Sequence, residues 1–312
     1  MIPSIDLSDF LSGDAVKKNN FVQALGKAYT EIGFVAVKGH LLEDEVSQNL
    51  YWQCQNFFSL DQDIKEKYEI AGQAGQRGYT SFGKEHAKGR NEGDLKEFWH
   101  FGQTVIGNDP IREEYPENVM VEELPEFNLY GLKAYKQLEE TGRYMLRAIA
   151  LYLNLEENYF DAKISHGNSI LRPIHYPPIL NEPKTAVRAA EHEDINLITL
   201  LMGASAEGLE VLSKQNEWIA ITALPNQLVV NVGDMLQRLT NGVLKSTTHR
   251  VVNPPKEKWH TSRYSIPFFL HPRSEMRLDA LANCVSETNP QHEPPISAGE
   301  YLIERLKEIG LK

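Results

Sequence analysis

The apolar residues of this chain change their period once, near residue 164, and that change limits the fold more than any other feature. Before it, apolar side chains recur at helical spacing. Phe21, Leu25, Tyr29 and Ile32 form one stripe, closed by Gly33 as a C-terminal stop. Val46, Leu50, Cys54 and Phe57 form a second over about residues 43–59, and Leu138, Met145, Ile149 and Leu153 a third over about 127–153. Beyond the change, short apolar runs alternate with Gly, Pro and Asn: Ile170-Leu171, Leu197 to Met202, Gly208 to Leu212, Leu228 to Val232, Val251-Val252 and Ile266 to Leu270. Many short strands at this spacing predict a sandwich or barrel. Helices followed by an antiparallel β core give an α+β protein.

Smaller signals complete this outline. Ile2 to Leu7 alternates behind a Pro and reads as a short edge strand, and Phe34 to Val37 as another. Residues 71–95 carry six glycines among charges and read as a loop ordered around Tyr79 and Phe82. Ser297-x-x-Glu300 is a capping-box pattern ahead of a C-terminal helix with Tyr301, Leu302, Leu306 and Ile309. No linker composition interrupts the chain. The expected organisation is one domain over 1–312, with a mainly helical layer at 1–163, a β core at 164–285 and a C-terminal helix at 286–312.

Charge narrows the partners. The chain has 32 Lys and Arg against 43 Asp and Glu, a net −11, and such a surface repels phosphate backbones. No nucleic-acid partner is expected. No apolar run approaches the roughly 20 residues that span a bilayer, and the acidic start lacks a basic region followed by an apolar one. A cytoplasmic protein without a membrane partner is expected. Two cysteines, Cys54 and Cys284, make neither a disulfide framework nor a Cys-rich zinc site. The sequence sets no oligomeric state.

One constellation carries chemistry. His192 and Asp194 stand two apart, so in extended chain they share a face while Glu193 turns away. An imidazole and a carboxylate on one side are two arms of a metal site. His249, far downstream and also ahead of an apolar pair, is the best third arm. Two His and one carboxylate leave a face of an octahedral ion open, as in non-haem Fe(II) oxygenases. On spacing alone, hydrogen-bonded structural histidines compete with this reading. Arg263 and Ser265 repeat the i, i+2 argument. A guanidinium facing a barrel interior needs an anion, either a ligand carboxylate gripped with the Ser hydroxyl or a distant structural acid.

These residues sit in blocks that resemble a known family. His192-Glu-Asp-Ile-Asn-Leu-Ile-Thr-Leu-Leu201, Pro225 to Gln237, Asn241-Gly242, Lys245-Ser-Thr-Thr-His-Arg-Val-Val-Asn-Pro254 and Arg263-Tyr-Ser-Ile-Pro-Phe-Phe269 are similar, in order and spacing, to the isopenicillin N synthase-like Fe(II)/2-oxoglutarate oxygenases. Ile2 to Leu7, Ile32-Gly-Phe34, Gly39-His40 and Asp94 to Phe98 extend the likeness across the N-terminal half. The resemblance implies a double-stranded β-helix, a jelly-roll core with flanking helices. It implies His192, Asp194 and His249 as iron ligands, Arg263 and Ser265 on the distal carboxylate of 2-oxoglutarate, and Tyr176 assisting them. Plant members often carry Asn two positions before that Tyr, where this chain has Ile174, so anchoring rests more on Arg263.

The implied activity couples oxidative decarboxylation of 2-oxoglutarate, with dioxygen, to hydroxylation, desaturation or ring closure of a small organic molecule. The metal centre does the chemistry, with no separate acid or base. An oxidase of the same fold that does not consume 2-oxoglutarate is the alternative, and a non-catalytic metal-binding protein a more distant one. The substrate pocket is expected between the 71–101 loop, the barrel mouth and the C-terminal helix, with Arg90, Lys96, Trp99, His100 and Phe268 as candidate lining residues.

Overall fold

Side-chain parity along a few strands organises the molecule. The computed structural model describes residues 2–72, 75–85, 93–183, 186–203, 207–222 and 226–308. The strands are β1 Ser4–Asp6, β2 Phe34–Lys38, β3 Gly78–Thr80, β4 Glu97–Gly102, β5 Ile170–Leu171, β6 Ile174–Tyr176, β7 Ala189–His192, β8 Ile198–Met202, β9 Leu209–Leu212, β10 Trp218–Ala220, β11 Leu228–Val232, β12 His249–Val251 and β13 Arg263–Leu270. The helices are α1 Leu7–Leu11, α2 Ala15–Glu31, α3 Asp44–Phe58, α4 Gln62–Glu66, α5 Pro125–Tyr152, α6 Asp161–Ile164, α7 Asp234–Leu239 and α8 Ala298–Glu308.

The larger sheet runs β1-β2-β11-β8-β13-β5-β4-β3, with β6 pairing both β13 and β4, and the smaller runs β10-β9-β12-β7. In the larger sheet alternate residues face opposite ways. Ile198, Leu200 and Met202 of β8, Leu228, Val230 and Val232 of β11, and Ile266, Phe268 and Leu270 of β13 join the main core under the helices. α5 packs on β8 and β13 and against α2 and α3. The other parity faces the smaller sheet. There, Leu209 and Val211 of β9 pack with Phe34 of β2, Val229 of β11 and Leu201 of β8. A second cluster, Phe98, Ile174, Tyr176, Ala189 and Val251, joins the sheets elsewhere. Residues of both clusters line one cavity of about 590 Å³ between the sheets.

The helix limits follow local chemistry. Asp14 caps α2, its carboxylate accepting from the N–H groups of Val16 at 2.8 Å and Lys17 at 3.1 Å. Gly33 ends that region at φ +75°, and a Cβ there would stand 2.2 Å from the Lys245 carbonyl oxygen. The capping box forms as expected: Ser297 N–H donates to Glu300 Oε2 at 2.9 Å, and Glu300 N–H to Ser297 Oγ at 3.3 Å.

Two expectations need correction. The 71–95 stretch is not all loop, because β3 lies within it and pairs antiparallel with β4. Tyr79 is buried there, but Phe82 is 49% exposed and does not anchor the segment; residues 73, 74 and 86–92 lie outside the described ones. β4 itself was not anticipated. Every residue of Glu97–Gly102 is buried, so the segment lacks the alternation of a half-exposed strand. With β1 to β4, the first half contributes strands as well as helices to the larger sheet. No helix among the described residues is long and apolar enough to cross a membrane.

Leu200 sits at the centre of this arrangement, fully buried and packed toward Gly142 of α5. Leu200→Ala should cost about 2–5 kcal/mol through lost transfer energy and the cavity left behind, read as a shift of the urea unfolding midpoint.

Candidate metal centre

Strand pairing brings the two histidines face to face. β12 pairs antiparallel with β7, and His249 stands opposite His192 in that register. Their ring centroids are 4.4 Å apart. Asp194 lies two residues beyond β7, where its carbonyl accepts from Asp234 N–H at 2.7 Å. Nitrogens of the two imidazoles and an oxygen of Asp194 all lie within 4.8 Å of one another.

Hydrogen bonds aim each donor atom. Nδ1 of His192 bonds the Ala190 carbonyl at 2.7 Å, and Nδ1 of His249 the Thr247 carbonyl at 3.0 Å. A carbonyl only accepts, so each Nδ1 donates and each Nε2 is left turned toward Asp194 Oδ1. Asp194 Oδ2 accepts from Thr199 Oγ1 at 2.6 Å and Asn231 Nδ2 at 2.8 Å. Oδ1 is left 3.6 Å from His249 Nε2 and 4.0 Å from His192 Nε2. His249 also packs edge-on against Phe34, centroids 5.6 Å apart. Burial, then the neighbouring His249, pushes His192 down to about 4, so it is neutral near pH 7. Burial raises the Asp194 carboxyl, but the two imidazoles and the Asn231 and Thr199 hydrogen bonds outweigh it and hold the group below its usual range. Two imidazoles and one carboxylate, converging and oriented by their other atoms, fit a divalent transition ion with open positions.

Arg263, Ser265 and Tyr176 gather beside this cluster. In the β13–β6 register Arg263 stands opposite Tyr176 and Ser265 opposite Ile174. The Arg263 guanidinium carbon lies 5.0 Å from the Tyr176 ring centroid. All three residues line the cavity that holds the two histidines and Asp194. The sequence reading overlooked Arg188. It is 2% exposed, 5.9 Å from the same tyrosine ring, and has no carboxylate within ion-pair distance among the described residues. Burial and the Arg263 charge lower it to about 10, still cationic at neutral pH.

The comparisons match this geometry. Residues 2–123 match the family model described as non-haem dioxygenase in morphine synthesis N-terminal, and residues 167–272 that of the 2OG-Fe(II) oxygenase superfamily. A solved protein of the 2OG-Fe(II) oxygenase family from Caulobacter crescentus is 42% identical, covers 99% of each chain and superposes with a TM-score of 0.88. The chain belongs to the 2OG-Fe(II) oxygenase superfamily. A full-length protein of Neurospora crassa, solved in complex with alpha-KG, is 32% identical over 98% of this chain and 96% of its own, at a TM-score of 0.85, and a further structure of it contains thymine. Kihadalactone A synthase of Citrus sinensis is 31% identical over 92% of this chain and 87% of its own.

This oxygenase therefore has the double-stranded β-helix of its neighbours. It uses Fe(II) and 2-oxoglutarate to oxidise a small organic substrate. Of the expected lining residues, Lys96 and His100 reach the cavity, and Leu302, Arg305 and Leu306 of α8 line it as well. Trp99 and Phe268 belong instead to the core, each fully buried on the helix side of its strand. Phe269, one residue on, faces the cavity. Arg90 lies outside the described residues. Sequence reasoning missed Thr199 and Asn231, although a lone Asn in the apolar run Leu228 to Val232 was a visible signal.

The outer hydrogen bonds give a prediction. Asn231→Leu or Thr199→Val should weaken Fe(II) binding about 10–100-fold with secondary structure intact. Anaerobic iron titration with circular dichroism would check both.

Proposed function

We propose that His192, Asp194 and His249 hold Fe(II) through Nε2, Oδ1 and Nε2, and that Arg263, Ser265 and Tyr176 hold 2-oxoglutarate beside it. The observation that supports this most is the convergence of three donor atoms whose partner atoms are all engaged elsewhere. Bound there, the metal and cosubstrate supply the oxidising chemistry, in which dioxygen and 2-oxoglutarate are consumed, succinate and carbon dioxide leave, and a substrate C–H bond is oxidised.

The chain's own residues bind and orient. Arg263 offers a rigid fork to the distal carboxylate of 2-oxoglutarate, and Ser265 a single hydroxyl. Arg188, behind Tyr176, adds a second positive charge that suits a dianionic cosubstrate. Ile174 opposite Ser265 contributes no hydrogen bond where plant members often place Asn. The apolar clusters at the cavity walls limit water around the reacting centre.

We read residues 1–312 as one oxygenase domain, supported by the sharing of the larger sheet between both halves of the chain. The motif order supports an isopenicillin N synthase-like member. The net negative charge favours small molecules over nucleic acid, and two free, buried cysteines suit a cytoplasmic enzyme.

Two sets of variants test the assignment. His249→Ala should lose nearly all bound Fe(II) and turnover while keeping its fold, as should Asp194→Glu, whose added methylene misplaces the oxygen. An active His249→Ala enzyme with normal iron content would remove this residue from the site. Arg263→Ala should weaken 2-oxoglutarate binding by about 2–5 kcal/mol, Ser265→Ala by about 1.5–3, and Arg263→Lys should restore binding only in part. Unchanged 2-oxoglutarate affinity in Arg263→Ala, with loss of activity toward the substrate, would favour an arginine that grips the substrate itself.

A further inference from the structure

The cavity carries polar side chains that neither the metal nor the cosubstrate reading uses. Asn168 and His271 line it and are 8% and 7% exposed. Asn168 Oδ1 and His271 Nδ1 are buried without a hydrogen-bond partner among the described residues. Their backbones are satisfied: Asn168 N–H donates to the Pro272 carbonyl at 3.3 Å and His271 N–H to Ser169 Oγ at 3.1 Å. The unmet demand therefore lies in the side chains. A buried polar group left unpaired disfavours a state on the order of 10- to 100-fold, so such groups mark a missing partner.

The charges around them are already matched. Arg172, also on the cavity wall, donates through Nε to His100 Nε2 at 2.5 Å and through Nη1 to Glu85 at 3.3 Å. Its guanidinium carbon sits 4.4 Å from the Phe98 ring and 5.1 Å from the Phe269 ring. Lys96 is bonded to Glu85 at 2.6 Å and to Asp94 at 2.9 Å. Two cations and two anions cancel, and Arg305 of α8 pairs with Glu308 at 2.9 Å. Among the described residues of this wall, no cation waits for a substrate carboxylate. Burial pushes His271 down to about 4, so near pH 7 its ring offers both a donor and an acceptor. Phe269, Ile170 and Pro267 supply an apolar flank.

We infer that Asn168 and His271, with Arg172 beside them, recognise an uncharged ring bearing an N–H next to a C=O, a cyclic amide or imide lying against Phe269. An amide side chain and a neutral imidazole both donate and accept, which complements a group that does the same. A carboxylate only accepts and meets no unmatched charge. A plain hydrocarbon ring leaves both side chains unpaired. The inference rests on the oxygenase reading above and names its substrate class.

Anaerobic calorimetry on the Fe(II)-loaded enzyme tests it. 2-Oxoglutarate is added first, then thymine, glutarimide, 2-piperidone, benzoate or toluene. Ring amides should bind at least 10-fold tighter than benzoate or toluene. Asn168→Leu and His271→Leu should each lose about 10-fold or more of that binding, and His271→Gln, which keeps a donor and an acceptor, should retain part of it. Each variant is first checked for a wild-type melting transition. Tighter binding of benzoate or toluene, no binding of any ring amide, or unchanged ring-amide binding in both Leu variants would overturn the recognition set while 2-oxoglutarate binding left the oxygenase reading standing. Failure of 2-oxoglutarate to bind would overturn that reading, and this inference with it.

Discussion

Register between β7 and β12 governs everything else in the cavity. Because His249 stands opposite His192 across that pair, two imidazoles from distant parts of the chain meet with their Nε2 atoms converging. A slip of one residue would turn a histidine out of the cavity, since side chains alternate with a period of two. The neighbours of each strand resist the slip. β12 is also fixed on β9, where His249 stands opposite Val211 and Val251 opposite Leu209. Val211 and Leu209 are buried against the larger sheet. Apolar packing that looks remote from chemistry thus sets where the donor atoms point.

The same parity explains what the sequence made legible and what it did not. The i, i+2 argument correctly put Arg263 and Ser265 on one face of β13. Carried four residues further, it would have selected Phe269 for the cavity and left Phe268 to the core, where it meets Tyr135 edge-on at 5.0 Å. His192 and Asp194 come together by a looser route, since β7 ends at His192 and Asp194 lies two residues beyond the strand. Helices with one apolar stripe were readable to within a few residues. β4 was not, because it is buried on both faces and carries Trp99 and Phe101 to the core and His100 to the cavity. Contacts made only by tertiary pairing, such as Asn231 or Thr199 on Asp194, have no local signature.

Buried charge is handled by compensation within the wall. Lys65, Tyr79 and His175 converge on Glu97, with Lys65 Nζ 2.8 Å and His175 Nδ1 2.7 Å from its carboxylate. Glu85, Asp94, Lys96 and Arg172 form a second set on the cavity surface. Removing one member of such a set leaves an uncompensated charge, a far larger cost than losing a surface pair. Beside these charge-paired groups, Asn168 and His271 are uncharged cavity side chains with a buried polar atom that lacks a partner among the described residues.

An anomalous difference map at the iron edge, from crystals grown with Fe(II) under argon, measures the consequence of this register most directly. The expected result is one peak about 2.0–2.2 Å from Nε2 of His192, Nε2 of His249 and Oδ1 of Asp194, the usual range for imidazole and carboxylate ligands on a divalent ion, with Oδ2 still bonded to Thr199 and Asn231. Iron bound by other side chains, or a peak that lacks any one of these three atoms, would contradict it.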